Sequence, residues 1–374
     1  MKERFYWLAF SAFPGVGPAK FKALLANFGS AKEAWSAGKE DLEKVLGKAL
    51  TPKLEEFRNN FSIEGYAKVL EKKKVWFITR RDKEYPKSLL EIKNPPIILF
   101  GKGQAEILHF VQNDKEERAI AVVGTRKITQ YGRDVTKLLT EELVMAGFTI
   151  VSGLAAGVDS VAHQTAIDCG GKTIAVLGCG VDICIPPQNQ ALYNSIISGN
   201  GVIVSELPLS HPPTKGSFPS RNRIIAGLSQ AVLVTEGAED SGALITADYA
   251  FKNHRKVFAV PGPITSSLSK GPYKLISKGA KLVTNARDII DELGIDVKGI
   301  KGTTSTTSIK GRTKISGASE EENRILEILE NEPLHFDAIA RILKLDSSKT
   351  ASILSIMEIK GMVKSLETGF FSLV

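Results

Sequence analysis

The sequence predicts a doubly wound, mostly parallel α/β sheet, flanked by a helical N-terminal domain and a C-terminal winged helix. Three observations support this. From about residue 75, short apolar runs of strand length alternate with helical stretches. The runs are apolar throughout, as expected for strands covered on both faces. Repeated strand–helix units imply right-handed crossovers within one sheet.

Residues 1–70 are patterned as short helices. Pro14-Gly15-Val16-Gly17-Pro18-Ala19-Lys20, then Leu24-Leu25 and Phe28-Gly29-Ser30, reads as helix, glycine turn, helix, similar to a helix-hairpin-helix (SAM-like) motif. Two readings stay open. The turn bares N–H groups where a phosphate can sit, or it only joins helices of a packing domain. Residues 71–297 form the α/β domain, with strands expected at 75–79, 97–100, 119–124, 148–152, 172–178, 201–206, 231–235, 257–260 and 281–284. Residues 101–118, including Asp114-Lys115-Glu116-Glu117-Arg118, show no period and read as a loop insertion.

Residues 298–318 hold Lys298, Lys301, Lys310, Arg312 and Lys314 but no acid, the composition of a flexible basic linker. Residues 319–374 read as a winged helix. Ser319 with Glu322 marks a capped helix start, two more helices cover 336–343 and 347–360, and a hairpin turns at Thr368-Gly369. In DNA-binding versions the third helix enters the major groove. Here it carries only Lys349 and Lys360 against Glu358, so protein contact is at least as well matched as duplex binding.

Composition sets the class. The chain has 374 residues, net charge +8, 43% hydrophobic and 24% charged residues, which excludes disorder throughout, collagen and a disulfide scaffold. The surplus permits a polyanionic partner without requiring one. Cys169, Cys179 and Cys184 are few and odd in number, pointing to reduced thiols and a cytoplasmic setting. The apolar run 5–13 follows Glu3 and precedes Pro14-Gly15, and reads as a first helix instead of a signal peptide. No apolar stretch reaches ~18 residues, so no membrane span is expected.

Ligands of open α/β sheets bind beyond the carboxyl ends of the strands. The turns there are rich in small residues: Gly124-Thr125-Arg126, Ser152–Asp159, Gly178–Asp182, Phe218–Arg223 and Thr235–Ala243. Such turns bring backbone N–H groups close to an anion, although packing alone also explains any single glycine. Gly178-Cys179-Gly180 fails the G-x-G-x-x-G pattern, and Gly171-Lys172-Thr173 fails the P-loop because position 166 is Ala. No metal-ligand set, nucleophile elbow or cofactor motif is found, and no catalytic residue is expected. Asp159 and His163 lie four apart, a spacing open to an acid/base pair, but a capping Asp beside an ordinary His is favoured.

The basic cluster is more informative. Arg126 occupies the first turn, and Lys215, Phe218, Arg221 and Arg223 lie within nine residues. Cations with an aromatic face are what a single strand needs, charge for phosphates and a plane for a base. Lys215 and Phe218 read as loop residues, while Arg221 and Arg223 begin a helix and oppose its dipole. They need a counter-anion: an internal acid such as Glu206 or Glu236, or a phosphate.

Gly124-Thr125-Arg126, SGLAAGVD (152–159), FPSRNRIIAGLS (218–229), SGALITA (241–247) and Pro261-Gly262 together resemble the bacterial DNA-processing protein A (DprA/Smf) family. The resemblance covers about residues 75–292. It implies an extended Rossmann-like domain that binds single-stranded DNA, dimerises, and loads RecA onto the strand in natural transformation, with no enzymatic activity. It also implies that Arg126 holds phosphate, that Lys215 and Phe218 are the loop lysine and base-stacking aromatic, and that N–H groups at Gly153, Ser241 and Gly242 complete the pocket. Gly124, Thr125, Arg221, Asn222 and Arg223 belong to the same motifs. Where the family usually has Ser before the turn arginine, this chain has Thr125, which keeps the hydroxyl. The competing expectation is a Rossmann-like nucleotide phosphoribohydrolase. That class carries P-G-G-x-G-T-x-x-E, whereas Thr235–Gly242 lacks the paired glycines.

Overall fold

The computed structural model describes residues 1–110, 118–295, 319–329, 333–365 and 369–373. They fall into two compact units, Met1–Lys298 and Gly299–Val374. The expected linker 298–318 lies outside the described residues.

The first unit opens with α1 (Glu3–Ala12), α2 (Pro18–Phe28), α3 (Ala31–Ser36), α4 (Lys39–Leu46), α5 (Thr51–Asn60) and α6 (Ile63–Lys72). Ser30 and Ser62 cap α3 and α6 by accepting from the N–H groups of Glu33 and Gly65. Pro18 starts α2, where its missing N–H costs nothing. Phe10, Phe21, Leu24, Leu42 and Leu54 are fully buried between these helices. Leu8 and Leu70 instead join Ile98 and Phe100 in a core shared with the sheet, which docks the helices against it.

The sheet follows: β1 (Trp76–Thr79), α7 (Lys87–Leu90), β2 (Ile98–Gly103), α8 (Glu106–Phe110), β3 (Arg118–Val123), α9 (Gln130–Met145), β4 (Phe148–Ser152), α10 (Val158–Asp168) and β5 (Thr173–Val176). Next are α11 (Gln190–Ser198), β6 (Gly201–Ser205), α12 (Ser217–Leu228), β7 (Ala231–Val234), α13 (Gly242–Lys252), β8 (Lys256–Ala259), α14 (Lys270–Ser277), β9 (Lys281–Leu282) and α15 (Ala286–Glu292). The strand order is β1-β2-β6-β5-β4-β3-β7-β8-β9. Strands β3 to β9 pair in parallel, while β2 runs antiparallel to β6 and to β1. Every residue of β4, β5, β6 and β7 is buried, as two-sided burial requires.

The two faces have separate cores. Ile120 and Val122 pack with α9, α10 and α15, while Ala119, Ala121 and Val123 pack with α12, α13 and α14. This is the doubly wound α/β arrangement the apolar runs predict. The 101–118 segment departs from the expected loop. Residues 101–103 extend β2 and 106–110 form α8, because Ile107 and Leu108 are buried against the sheet; residues 111–117 lie outside the described residues. Among the described residues no helix is long and apolar enough to cross a membrane.

The second unit is a winged helix of α16 (Glu320–Leu329), β10 (Leu334–His335), α17 (Phe336–Leu343), α18 (Ser347–Ile359), β11 (Val363–Ser365) and β12 (Phe370–Leu373). Its sheet order is β10-β12-β11. The two lysines of the third helix are occupied: Lys349 pairs with Glu321 at 3.0 Å and Lys360 with Glu322 at 2.7 Å.

Candidate nucleic-acid interface

Strand order decides where a ligand fits. From β3 the chain winds outward through β4, β5 and β6, then crosses back to β7 and continues through β8 and β9. The switch point therefore lies at the carboxyl ends of β3 and β7, where doubly wound sheets form their crevice. Gly124-Thr125-Arg126 leaves β3 there, and Ser241-Gly242 opens α13 after β7. A cleft of about 520 Å³ occupies this place. It is lined by Gly124, Thr125, Arg126, Lys215, Phe218, Arg221, Asn222, Ser241 and Gly242, so nine of the eleven expected site residues converge.

The turns are held by backbone bonds. Thr125 N–H donates to the Glu236 carbonyl at 2.7 Å, and the Thr125 carbonyl accepts from Val158 N–H at 3.1 Å. The Thr125 hydroxyl accepts from Lys127 N–H at 3.1 Å. A Cβ on Gly124 would lie 2.5 Å from Val158 Cγ2 and 2.6 Å from the Glu236 carbonyl oxygen. That glycine is there for close packing. Gly242 differs: a Cβ there meets nothing within 4 Å, and its N–H opens an eleven-residue helix facing the cleft.

Helix α12 begins at Ser217, four residues before the start expected from the sequence, so Phe218 sits in its first turn and not on a loop. Two reciprocal bonds account for the earlier start: Thr214 N–H donates to Ser217 Oγ at 3.0 Å, and Ser217 N–H donates to Thr214 Oγ1 at 3.1 Å. Ser217 Oγ also donates to the Gly178 carbonyl at 2.6 Å, anchoring this turn to the chain beyond β5. Pro219 is tolerated because first-turn N–H groups have no helical partner.

The cations divide into two kinds. Arg126 and Lys215 are exposed at the cleft and make no ion pair among the described residues. The Arg126 guanidinium lies 5.3 Å from the Phe218 ring centroid, a cation–π contact. Arg221 and Arg223 are buried, at 5% and 8% exposure. Arg221 Nη1 donates to the carbonyls of Gly153, at 2.7 Å, and Val176, and its Nε to Asn222 Oδ1 at 3.2 Å. Arg221 thus forms the floor, with its donors Nε and Nη1 turned inward. Arg223 does not reach this cleft; its Nη2 pairs at 2.6 Å with Glu206, one of the two internal acids the sequence offers. Asn222 donates to the Gly242 carbonyl at 3.1 Å and ties α12 to α13.

Gly153 is also structural. Its N–H donates to Asp159 Oδ2 at 3.0 Å, and a Cβ there would strike Arg221 Nη1 at 2.2 Å. Asp159 also accepts from Ala155 N–H at 3.4 Å. Burial pushes its carboxyl up, against the pull of Arg221 and these N–H groups. His163 is fully buried; its Nε2 accepts from Leu154 N–H at 3.3 Å, and Nδ1 bonds Thr173 Oγ1 at 2.7 Å. Burial pushes its pKa down to about 3, so it is neutral. Both side chains fix the 152–159 loop and not the helix end: the N-cap of α10 is Gly157, with no side-chain cap bond, so Asp159 is not the capping residue the sequence suggests. Glu236 is likewise taken, accepting from Thr129 N–H at 2.9 Å and Thr129 Oγ1 at 2.7 Å at the start of α9. The phosphoribohydrolase reading is therefore not favoured.

Sequence reasoning missed Asp240 and Ile245, which also line the cleft. Ile245 is 36% exposed, and the signal was an Ile in the first turn of an otherwise small-residue helix start.

With this geometry in hand, family comparison is decisive. Residues 76–294 match the model of DNA recombination-mediator protein A, and residues 312–369 match the DprA winged helix domain. The chain belongs to the DprA/Smf family. It is similar to protein Smf of Synechocystis, at 35% identity over 387 aligned residues, covering 96% of each chain. Among solved structures it is similar to DNA processing protein A of Streptococcus pneumoniae, with TM-score 0.68 and 33% identity, covering 78% of this chain and 99% of that one. It is also similar to the Helicobacter pylori protein, whose structure is described for its single-stranded DNA binding mode. There the TM-score is 0.51 and the identity 32%, covering 58% of this chain and 95% of that one. The family is one of DNA recombination mediators.

Proposed function

We propose that this chain binds single-stranded DNA in the switch-point cleft and, acting as a cytoplasmic homodimer, loads RecA onto the strand during transformation or related DNA processing. The observation that carries the binding step is the exposed Arg126 over Phe218, next to Lys215, above a floor whose Arg221 donors Nε and Nη1 are taken by internal acceptors. Cations beside an aromatic plane suit phosphates and one stacked base, with little dependence on sequence. The Gly242 N–H at the α13 terminus adds a neutral anion donor. RecA loading and dimerisation rest on the family resemblance.

The test is a titration of oligo-dT against duplex of the same length at two salt concentrations. Single strands should bind more tightly, with log K against log salt falling by about 0.7 for each phosphate contacted. Arg126→Ala with Lys215→Ala should weaken binding and leave the thermal midpoint unchanged, because both side chains are exposed and unpaired. Equal affinity for duplex and single strand refutes the binding step. RecA loading is read separately, as faster RecA filament growth on single strands in the presence of this protein.

A further inference from the structure

The glycine turn between α1 and α2 has no part in the switch-point cleft, and it lies against another side of α12. Gly17 caps α2, an eleven-residue helix with Pro18 at its start. The N–H groups of Gly17, Ala19 and Lys20 are exposed and have no acceptor among the described residues. They form the positive end of a helix dipole. A helix end alone is no site, but a buried side chain is oriented to the same place. Arg223 lines a cleft of about 330 Å³ together with Gly15, Gly17, Lys20, Asn94 and Ser220. Its side chain is 9% exposed, Glu206 takes Nη2, and Nη1 has no partner among the described residues. Native structures leave few buried donors unmet, and each calls for an explanation.

This cleft runs on into a larger one of about 810 Å³, the two sharing Pro18, Ala19 and Asn94. The larger one is lined by Lys22, Arg80, Arg81 and Lys93. No carboxylate lines either cleft, and none of these four cations has an ion-pair partner among the described residues. Glu206, beside Arg223, is already neutralised by it. One phosphate would satisfy the turn and Arg223. A row of further unpaired cations calls for a polyanion.

Helix α12 connects the two regions. Phe218, Arg221 and Asn222 face the switch-point cleft, while Ser220 and Arg223 face the helical hairpin. We propose that the groove formed by the α1–α2 turn, the 80–95 segment and α12 binds a nucleic-acid phosphodiester backbone. It continues the path of the strand held at Arg126 and Phe218, and to that extent it rests on the proposed function.

The test uses the full chain and two oligo-dT lengths, about 6 and about 25 nucleotides, one near the lower end of the ~4–16 nucleotides a single groove covers and one beyond its upper end. The variant combines Lys20→Ala, Lys22→Ala, Arg81→Ala and Lys93→Ala, all at exposed positions whose removal leaves the core intact. The long strand should lose about tenfold or more in affinity, and its salt slope should flatten by about 0.7 for each contact removed. The short strand should bind as before. Unchanged long-strand affinity and slope overturn the proposal; an acidic protein segment as the true occupant would give that result. Arg126→Ala with Lys215→Ala reports on the other site: if it leaves the short strand unaffected, the switch-point reading fails, while the length-dependent loss still reads the groove.

Discussion

Removing Arg221 separates a structural arginine from a DNA-binding one. Arg221→Met keeps most of the apolar stem and deletes the guanidinium. Two carbonyls then lose their donor, those of Gly153 and Val176, and the buried Asp159 carboxyl loses the favourable field of the guanidinium. Breaking one side of a buried charge pair costs about 3–5 kcal/mol, because the remaining charge stays desolvated. Against a total stability of about 5–15 kcal/mol that is a large fraction. At about 2–4 °C per kcal/mol for a domain of this size, the melting midpoint should fall by roughly 6–20 °C. Asp159→Asn in the Arg221→Met background removes the stranded charge while keeping an acceptor for Gly153 N–H. The double variant should recover part of the loss, giving a favourable coupling in the cycle. Thermal and urea unfolding provide the readout, with oligo-dT anisotropy alongside. If Arg221→Met unfolds at the wild-type midpoint yet loses DNA binding, the assignment of Arg221 to the floor is wrong and it contacts the strand.

Phe218→Ala should weaken oligo-dT binding by ~1–3 kcal/mol if the ring stacks a base; wild-type affinity would mean that the ring serves only Arg126. Gly124→Ala should lower stability by ~1–3 kcal/mol through overpacking against Val158, whereas Gly242→Ala should leave the melting midpoint unlowered and reduce affinity by crowding the phosphate approach, both read by melting and titration. His163 has its folded pKa pushed from 6.5 to about 3, so the unfolded chain binds more protons between those values and stability falls as pH drops below 6.5. Between pH 7.5 and pH 5 this one group should cost about 2 kcal/mol, and urea midpoints for wild type and His163→Gln at the two pH values should diverge accordingly.

The sheet was legible because two-sided burial leaves an unmistakable mark: runs such as Ala231–Val234 and Phe148–Ser152 have no polar member on either face beyond Thr and Ser. The place of the cleft was legible for the same reason, since strand ends and glycine turns can be placed once the strands are known. The roles of individual residues were less legible. FPSRNRIIAGLS holds two arginines two residues apart, and nothing local says that one meets carbonyls from β5 and the 153 turn while the other meets Glu206. Both partners arrive through tertiary contacts, 17 to 68 residues away in sequence. The helix start at Ser217 was hidden for a related reason. Its reciprocal Thr214–Ser217 bonds lie across Lys215-Gly216, where no apolar period marks a helix.

Burial of both arginines resolves an apparent conflict at the start of α12. Cations in the first two turns of a helix are unfavourable, because the N-terminus is already positive. Asp159 beneath Arg221 and Glu206 beside Arg223 offset that charge from within the fold. The Arg221 Nε and Nη1 donors are also met by internal acceptors, so the protein keeps a stable helix start without recruiting a phosphate to them. What stays uncompensated is on the outside: Arg126, Lys215 and the Gly242 N–H on one side of α12, and Lys20, Lys22 and the α2 N-terminus on the other. A strand bound to this surface would therefore gain its affinity from cations that folding does not need. Those cations can be removed at little cost to stability, whereas the two arginines within the most family-specific motif cannot.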